Sequence, residues 1–205
     1  MMKGLAIFLA LVLATGTAFG AQLILQPGAE GKDSHIREQG PTSNYGSYSY
    51  LTVNWSPTQA GRGLVTFEGL SAIAKGSTIN SANLELYNYA NNPNDTFSIY
   101  RITGTWEEMT VTWSNQPAYF ATAYASVLVT GTGTWSFDIK TLVNEWVQAT
   151  YANNGFMIIK RTESGTYPYF CSSDNTTYAH PKLTVDYTPT AIAPTSFGKV
   201  KALYH

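Results

Sequence analysis

Apolar and polar residues alternate with a period of two through most of this chain. The pattern is clearest in three segments, whose alternate apolar positions are Ala82, Leu84 and Leu86; Trp135, Phe137 and Ile139; Leu183, Val185 and Tyr187. Such alternation places apolar side chains on one face of a β-strand and polar side chains on the other. Because turns rich in Gly, Asn and Pro separate the segments, the sequence predicts an all-β fold, an antiparallel β-sandwich of jelly-roll type.

One segment follows a helical period instead. Its apolar residues recur at spacings of three and four, as in an amphipathic helix: Leu142, Val143, Trp146 and Val147. Asp138 precedes them as a candidate cap, and Asn154 and Gly155 follow the segment. The sequence therefore predicts one short helix near residues 141–148, which covers an open end of the sandwich.

A continuously apolar run lies beyond the predicted helix, at residues 156–159. A run this short predicts a central strand with both faces buried, one of them under the helix. Cys171 is the only cysteine, so an intrachain disulfide is excluded. Its alternating surroundings predict a small apolar core residue rather than a reactive thiol.

The two ends of the chain differ from its centre. Residues 1–20 contain a lysine, an apolar stretch and then small residues up to Gly20, which is the pattern of a secretory signal peptide. The apolar stretch is shorter than the roughly 20 residues of a membrane span. We expect cleavage after Gly20, or one residue later after Ala21, then one domain over residues 21–188, and a Pro-containing linker with a short tail over 189–205. The mature protein is then extracellular, with attachment to the cell surface left open.

Charge and composition exclude several classes of site. Charged residues make up 12% of the chain and the formal net charge is −1, whereas nucleic-acid binding needs a clustered basic face. The three scattered histidines form no recognisable zinc motif. Residues 91–95 and the pair Asp174 and Asn175 offer oxygen ligands to a structural Ca²⁺, although plain polar turns are the simpler interpretation. We expect no other cofactor.

The most characteristic motif is the run 106–117, Trp-Glu-Glu-Met-Thr-Val-Thr-Trp-Ser-Asn-Gln-Pro. It is similar to the Trp-x-Glu-x-x-Val-Thr-Trp-x-x-x-Pro signature of DNRLRE domains, also classed as family 96 carbohydrate-binding modules. Glu108 occupies the acidic position. The likeness continues, in the order of that family, through residues 33–36, 44–46, 51–53, 62–67, 79–87, 137–139, 143–146, 154–156 and 180–185.

This resemblance covers about residues 23–187. It implies a β-sandwich that binds extracellular polysaccharide without cleaving it. It also implies a basic and aromatic groove for acidic glycans. Because the first third of this chain has few lysines, the preference for an acidic polymer stays open.

Three tyrosines stand out as candidate sugar-binding residues. Tyr45, Tyr48 and Tyr50 lie two or three residues apart in a connection rich in Gly and Ser. Flat aromatic faces stack on the apolar side of a sugar ring, so at least one exposed ring here suits carbohydrate binding. Alternation predicts that one set of neighbours faces the core, namely Leu51, Val53 and Trp55, and that another faces outward, namely Tyr50, Thr52 and Asn54.

Basic residues close to these tyrosines are the second group of candidates. Asp33, His35 and Arg37 share one face of a predicted strand, and Arg37 suits a uronate or sulfate group. The remaining candidates are Lys32, Arg62, Lys160, Arg161, Tyr167 and Tyr169. We select Tyr45, Tyr48, Tyr50, Arg37, Lys32, Arg161 and Tyr169 as the ligand-binding set. Surface ion pairs with neighbouring glutamates are the alternative role for the basic members.

The two tryptophans of the motif are expected to be structural. On an extended strand, residues seven apart point to opposite faces. We therefore expect Trp113 in the core, Trp106 over a sheet edge, and Glu108 as an acceptor of backbone hydrogen bonds at the turn.

A catalytic function has little support in the sequence. Glu107 and Glu108 are adjacent and point in opposite directions on a strand, so they do not supply the carboxyl pair of a glycosidase. His35 lacks the Gln partner typical of jelly-roll polysaccharide lyases. The sequence predicts a secreted, non-catalytic polysaccharide-binding module. A structural or adhesive surface domain and a polysaccharide lyase are the alternatives.

Overall fold

The computed structural model describes residues 20–28, 32–54, 59–89, 94–161 and 169–190. Along the chain the elements are β1 (Ala21–Leu25), β2 (Lys32–Arg37), β3 (Tyr50–Thr52), β4 (Gly61–Thr66), a 3₁₀ turn (Leu70–Ala72), β5 (Thr78–Asn88), β6 (Asp95–Arg101), β7 (Ala125–Val129), β8 (Gly133–Asp138), α1 (Lys140–Val147), β9 (Phe156–Lys160), β10 (Tyr169–Cys171) and β11 (Lys182–Thr188).

The strands form two antiparallel sheets. The first has the order β1-β11-β5-β10-β3, with β8 paired to the long strand β5 as well. The second has the order β2-β4-β9-β6-β7. This arrangement confirms the predicted antiparallel β-sandwich with one short helix.

The main core lies between the two sheets. The predicted inward faces are confirmed: Ala82, Leu84, Leu86, Phe137, Ile139, Leu183 and Val185 are buried, while Trp135 and Tyr187 pack against them at the margin. Each large apolar side chain buried here contributes about 1.5–3 kcal/mol relative to an exposed one. Cys171 is fully buried, as predicted, and its burial raises the pKa of the thiol to about 12.

The predicted helix is present, and both of its ends lie one residue earlier than the predicted range 141–148. The Asp138 carboxylate accepts a hydrogen bond from the Lys140 backbone N–H at 3.0 Å, but the N-cap residue of the helix is Ile139, and not Asp138 as predicted. The predicted apolar face is buried: Leu142, Val143, Trp146 and Val147. This face packs against β5 and the 3₁₀ turn.

Strand β9 is central in the second sheet, as predicted, but the helix does not cover its outer face. Phe156 and Ile158 point into the core between the sheets. Met157 points the other way, into a second buried cluster with Trp106 and Val111. The connection between β6 and β7 therefore covers this sheet, because its apolar residues fold back onto β9.

The expectation that the Trp106–Trp113 segment is a strand is wrong, and so are the predicted positions of both rings. The segment turns, because the N–H groups of Thr110 and Val111 both donate to the Glu107 carbonyl, at 3.2 and 2.8 Å. Trp106 is buried, and its indole N–H donates to the Asn154 carbonyl at 2.9 Å. Trp113 is only half-buried, at the margin of the same cluster. The turn removes the alternation that would have placed the rings on opposite faces.

Some predictions concern segments outside the described residues. These are the leader up to residue 19, the tail from residue 191, and the positions of Trp55 and Tyr167. The proposed domain boundaries therefore stay predictions. In the part of the chain that is described, no helix is both long and apolar enough to span a membrane.

Candidate functional site

A continuous series of aromatic rings begins at His35 on β2, at the edge of the second sheet, and continues across the side of the first sheet that faces away from the core. Its members are in contact in the order His35, Tyr45, Tyr48, Tyr50, Tyr169, Tyr89, Tyr178 and Tyr87, with neighbouring ring centroids 4.5 to 5.8 Å apart. We call this series the tyrosine strip. It contains seven of the 14 tyrosines in the chain, so aromatic residues are concentrated on this surface.

The alternation of three adjacent strands produces the strip. Leu51, Phe170 and Leu86 are fully buried in the core, so their neighbours Tyr50 on β3, Tyr169 on β10 and Tyr87 on β5 point outward. Strand β10 pairs with both β3 and β5. The strip therefore crosses neighbouring strands instead of following one of them.

One half of the strip consists of residues that the sequence selected. We call Tyr45, Tyr48, Tyr50 and Tyr169 the near platform. Tyr48 is 41% exposed and the other three are half-buried. Tyr45 meets Tyr48 edge-on, with centroids 5.2 Å apart, and Tyr50 meets Tyr169 in the same way at 5.2 Å. Edge-to-face pairs of this kind stabilise one another, so the near platform is an ordered surface.

His35 forms the inner end of the strip. Its ring stacks on Tyr45 with centroids 4.5 Å apart, and its Nδ1–H donates to the Tyr50 carbonyl at 3.1 Å. Burial, with a smaller effect of the Arg37 charge, lowers the pKa of His35 to about 4. The imidazole is therefore neutral near pH 7 and supports the tyrosines as a packed ring.

Asp33 shares the face of β2 with His35 and Arg37, as predicted, but this face is not an open polar stripe. Asp33 and His35 are 2% and 1% exposed. Burial raises the pKa of Asp33 to about 7. Its carboxylate accepts a hydrogen bond from the Ser173 backbone N–H at 2.7 Å, so this side chain fixes the connection that follows β10.

Glu108 has the structural role predicted for it. Its carboxylate accepts the Asp33 backbone N–H at 3.0 Å, and its carbonyl oxygen accepts a hydrogen bond from the Asn44 side chain at 2.7 Å. Gly46 packs so closely on Glu108 that a Cβ atom would lie 2.5 Å from its carbonyl oxygen. The contacts of Glu108 thus hold the segment that carries Tyr45 and Tyr48.

Arg37 lies beside the near platform. It lines a shallow pocket of about 240 Å³ together with Gln39, Tyr50, Thr52, Gln59 and Tyr169. Its guanidinium donates to the Gln39 side chain at 3.2 Å and makes no ion pair within the described residues. The positive charge therefore remains accessible at this edge of the strip.

Two neighbours of the near platform differ from the prediction. Thr52 and Asn54 were expected to point outward, but they are only 3% and 5% exposed. Asn54 and Gly61 exchange backbone hydrogen bonds at 2.9 and 3.2 Å, and the Asn54 amide donates to the Gln59 carbonyl. Asn54 is thus held against the residues just before β4, and Thr52 lies beside Gln59 in the shallow pocket of Arg37. Leu51 and Val53 are buried as predicted.

The remaining basic candidates lie away from the strip. The Lys32 ammonium lies 3.5 Å from a Glu107 carboxylate oxygen and 4.9 Å from the Trp106 ring centre. Arg161 donates to the Tyr100 hydroxyl at 3.4 Å and lines a pocket that also contains Arg62.

Neither Arg62 nor Lys160 joins the near platform. Arg62 stacks over Trp113, 4.8 Å from its ring centre. Lys160 is fully buried in an ion pair with Asp95 at 2.9 Å. The structure therefore combines Arg37 with the four selected tyrosines, and separates Lys32 and Arg161 from them.

Sequence reasoning missed Tyr87, Tyr89 and Tyr178. The alternation of β5 already placed Tyr87 opposite Leu86, and Tyr89 continues that outward face. Nothing local marks Tyr178, because its ring partners are about ninety positions away in the sequence. Its place in the strip is visible only in the fold.

The structure gives no arrangement of metal ligands within its described residues. No group of three or more His, Cys, Asp or Glu side chains is placed there to hold an ion. Asp95 pairs with Lys160, and Asn175 uses its side-chain oxygen to accept the N–H groups of Thr177 and Tyr178. Residues 90–93 lie outside the described part, so the suggested Ca²⁺ ligands there are not placed.

The fold is a β-sandwich of two antiparallel sheets with aromatic rings on one outer surface. The model of carbohydrate-binding module family 96 matches residues 27–187. The chain belongs to this family and is a carbohydrate-binding module. No curated protein sequence gives a significant match.

Proposed function

We propose that this domain binds an extracellular polysaccharide noncovalently at the near platform, with Arg37 beside it. The observation that carries the proposal is the ordered group of half-exposed tyrosines next to a guanidinium with no ion-pair partner in the described residues. Family membership supports the same class of ligand.

The chemistry of the near platform suits a sugar chain. Aromatic rings cover the apolar C–H faces of pyranoses, and phenolic hydroxyls exchange hydrogen bonds with sugar hydroxyls. Arg37 adds a bidentate donor that matches a carboxylate or sulfate. We therefore propose a preference for polymers with acidic groups over neutral ones. Affinity is modest, because few stacking contacts must offset the cost of association.

The proposal includes binding without turnover. His35, the histidine closest to the tyrosines, is 1% exposed and uses Nδ1 to hold the Tyr50 carbonyl. A ring enclosed in this way is poorly placed to take a proton from a bound sugar. We also propose that no metal ion is required, so EDTA leaves binding unchanged.

The site of action is proposed to be outside the cell. The leader-like composition of residues 1–20 supports export. Detection of the protein in the culture medium, with Ala21 or Gln22 as its first residue, tests this part of the proposal.

A glycan array that contains alginate, pectin, chondroitin and neutral β-glucans tests the ligand class. The proposal expects binding to at least one acidic polymer, and a Tyr48→Ala/Tyr50→Ala double variant that loses it. Tyr151→Ala is the matched control, because Tyr151 is 43% exposed but lies against Arg101, on the other sheet. Self-association that sugars do not affect, with no binding to any polymer, would favour the adhesive alternative instead.

A second assay separates binding from cleavage. The polymer is incubated with the protein, and reducing ends and ultraviolet absorption from unsaturated products are recorded. No change in either quantity is expected. Product formation that disappears in His35→Ala would favour a lyase.

A further inference from the structure

We propose that Tyr87, Tyr89 and Tyr178, here called the far platform, form additional sugar subsites, so that the protein prefers long linear chains to short oligomers. This inference rests on the proposed function, because it extends the surface on which that function acts. It concerns three residues that are separate from Arg37 and its pocket.

The far platform continues the near platform without a gap. Tyr89 stacks on Tyr169 with centroids 5.7 Å apart and ring planes 18° apart, and its backbone N–H donates to the Tyr169 carbonyl at 3.2 Å. Tyr178 then stacks on Tyr89 at 5.8 Å and on Tyr87 at 5.0 Å, in both cases with planes 11° apart. A ligand on Tyr169 therefore has further ring surface directly beside it.

The outermost ring of the far platform is open to solvent. Tyr178 is 45% exposed, although it stacks on two other rings. Tyr87 and Tyr89 are half-buried beneath and beside it. Single exposed aromatic residues are common on protein surfaces, but a contiguous group of exposed and partly exposed rings indicates a binding surface.

The direction of the strip indicates a linear ligand. The rings follow β5, β10 and β3, which are neighbours in one sheet, and neighbouring strands lie roughly 4.8 Å apart. A chain laid across these strands meets a new ring at each step. A compact or branched ligand would contact only one platform.

Asn175 positions the far platform relative to the near one. Its side-chain oxygen accepts the Tyr178 backbone N–H at 2.7 Å, and its side-chain amide donates to the Ser49 carbonyl at 2.9 Å. Ser49 lies between Tyr48 and Tyr50 in the sequence. One side chain thus links the connection that carries Tyr178 to the segment that carries the near platform.

The charges around the two platforms differ. Glu85, two residues before Tyr87 on the same face of β5, is paired with Lys182 on β11. Charge attraction is therefore concentrated at the Arg37 edge, and the far platform contributes stacking. It should raise affinity for longer chains whether or not the added sugar carries an acidic group.

Calorimetric titration with length-fractionated oligomers of alginate and of pectic galacturonan tests the inference. Wild-type affinity should increase with oligomer length. Tyr178→Ala should abolish this increase, with a loss of up to about tenfold for long oligomers and unchanged affinity for the shortest oligomer that binds. Tyr178→Phe keeps the ring and should behave as wild type. Asn175→Ala should show a smaller loss, again for long oligomers only.

The controls distinguish this inference from the proposed function. Tyr151→Ala should leave the length dependence unchanged. Binding that is independent of length in the wild type, or a Tyr178→Ala variant that keeps the wild-type length dependence, would overturn the far platform alone. Failure of the wild type to bind either oligomer series would contradict the proposed acidic ligand and this inference together.

Discussion

The side-chain amide of Asn44 donates to the carbonyl oxygens of Glu108 and Val111, at 2.7 and 2.8 Å. One side chain thus joins the segment before Tyr45 to the turn that follows Trp106. Its own oxygen accepts the Gly46 backbone N–H at 3.1 Å. The near platform is therefore held by the turn after Trp106, which covers the second sheet, as well as by the strand that carries Tyr50.

We predict that Asn44→Ala lowers the free energy of unfolding by about 1–3 kcal/mol, because two carbonyl oxygens lose their partner. Asn83→Ala is the control, since Asn83 is exposed on β5 and should change stability by about 0.5 kcal/mol or less. Urea denaturation of both variants checks the prediction. Equal stability of the two would show that the Asn44 contacts contribute little.

A second prediction concerns the two tryptophans of the motif. Trp106→Ala removes a buried ring, 6% exposed, and its hydrogen bond to Asn154, so it should cost about 3–5 kcal/mol. Trp113→Ala should cost clearly less, because the half-buried ring loses mainly its contact with Arg62. Denaturation midpoints in the opposite order would contradict the positions described for the rings.

Asp33 and His35 should make opposite contributions to the pH dependence of stability. The pKa of Asp33 is raised by burial from 3.8 to about 7, so its contribution is complete below pH 3.8 and is lost as the pH rises through 7. Burial lowers the pKa of His35 from 6.5 to about 4, so its contribution is complete above pH 6.5 and is lost as the pH falls through 4. Between about pH 4 and pH 6.5 both groups change the free energy of unfolding with pH, and their contributions offset each other.

In the variant Asp33→Asn, the contribution of His35 to the pH dependence of unfolding should therefore no longer be offset. Its free energy of unfolding should fall as the pH drops from about 6.5 to about 4, with a slope of up to about 1.4 kcal/mol per pH unit relative to wild type. Denaturant titrations across this range measure the difference. A wild-type and variant pair with parallel pH profiles would show that Asp33 keeps its ordinary pKa.

Gly155 should tolerate no side chain. Its φ is +81°, and an added Cβ would collide with the Val65 carbonyl and the Thr66 hydroxyl. Gly133 also has a positive φ, +134°, but an added Cβ would meet nothing within 4 Å. Gly155→Ala should therefore cost more than Gly133→Ala, for which backbone strain of about 1–3 kcal/mol is the expected penalty. Thermal melting of the two variants compares them, and equal losses would contradict the predicted clash.

The sequence predicted the structure correctly where a segment has a regular hydrophobic period, and failed where it has none. The alternation around Leu84 and the helical spacing up to Trp146 identified the core faces, because such periods directly determine which side is buried. The motif from Trp106 to Trp113 misled, because hydrogen bonds to the Glu107 carbonyl close a turn that no alternation reveals.

The candidate site shows the same limit. Tyr45, Tyr48 and Tyr50 were found because they lie close together in the sequence. Tyr178 was not found, because only the packing of the chain after β10 against β5 brings it to Tyr87. Lys32 was selected for its proximity in sequence, yet it faces the other side of β2, where it meets Trp106.

The most direct test of the central claim is an NMR titration of protein with labelled tyrosine rings, using an alginate or galacturonan oligomer that binds. Ring signals of Tyr48, Tyr50 and Tyr169 should shift in proportion to occupancy, and those of Tyr100 and Tyr151 should not. Saturable binding that shifts Tyr100 and leaves the near platform unchanged would contradict the account, and would place the sugar beside Arg161 on the second sheet.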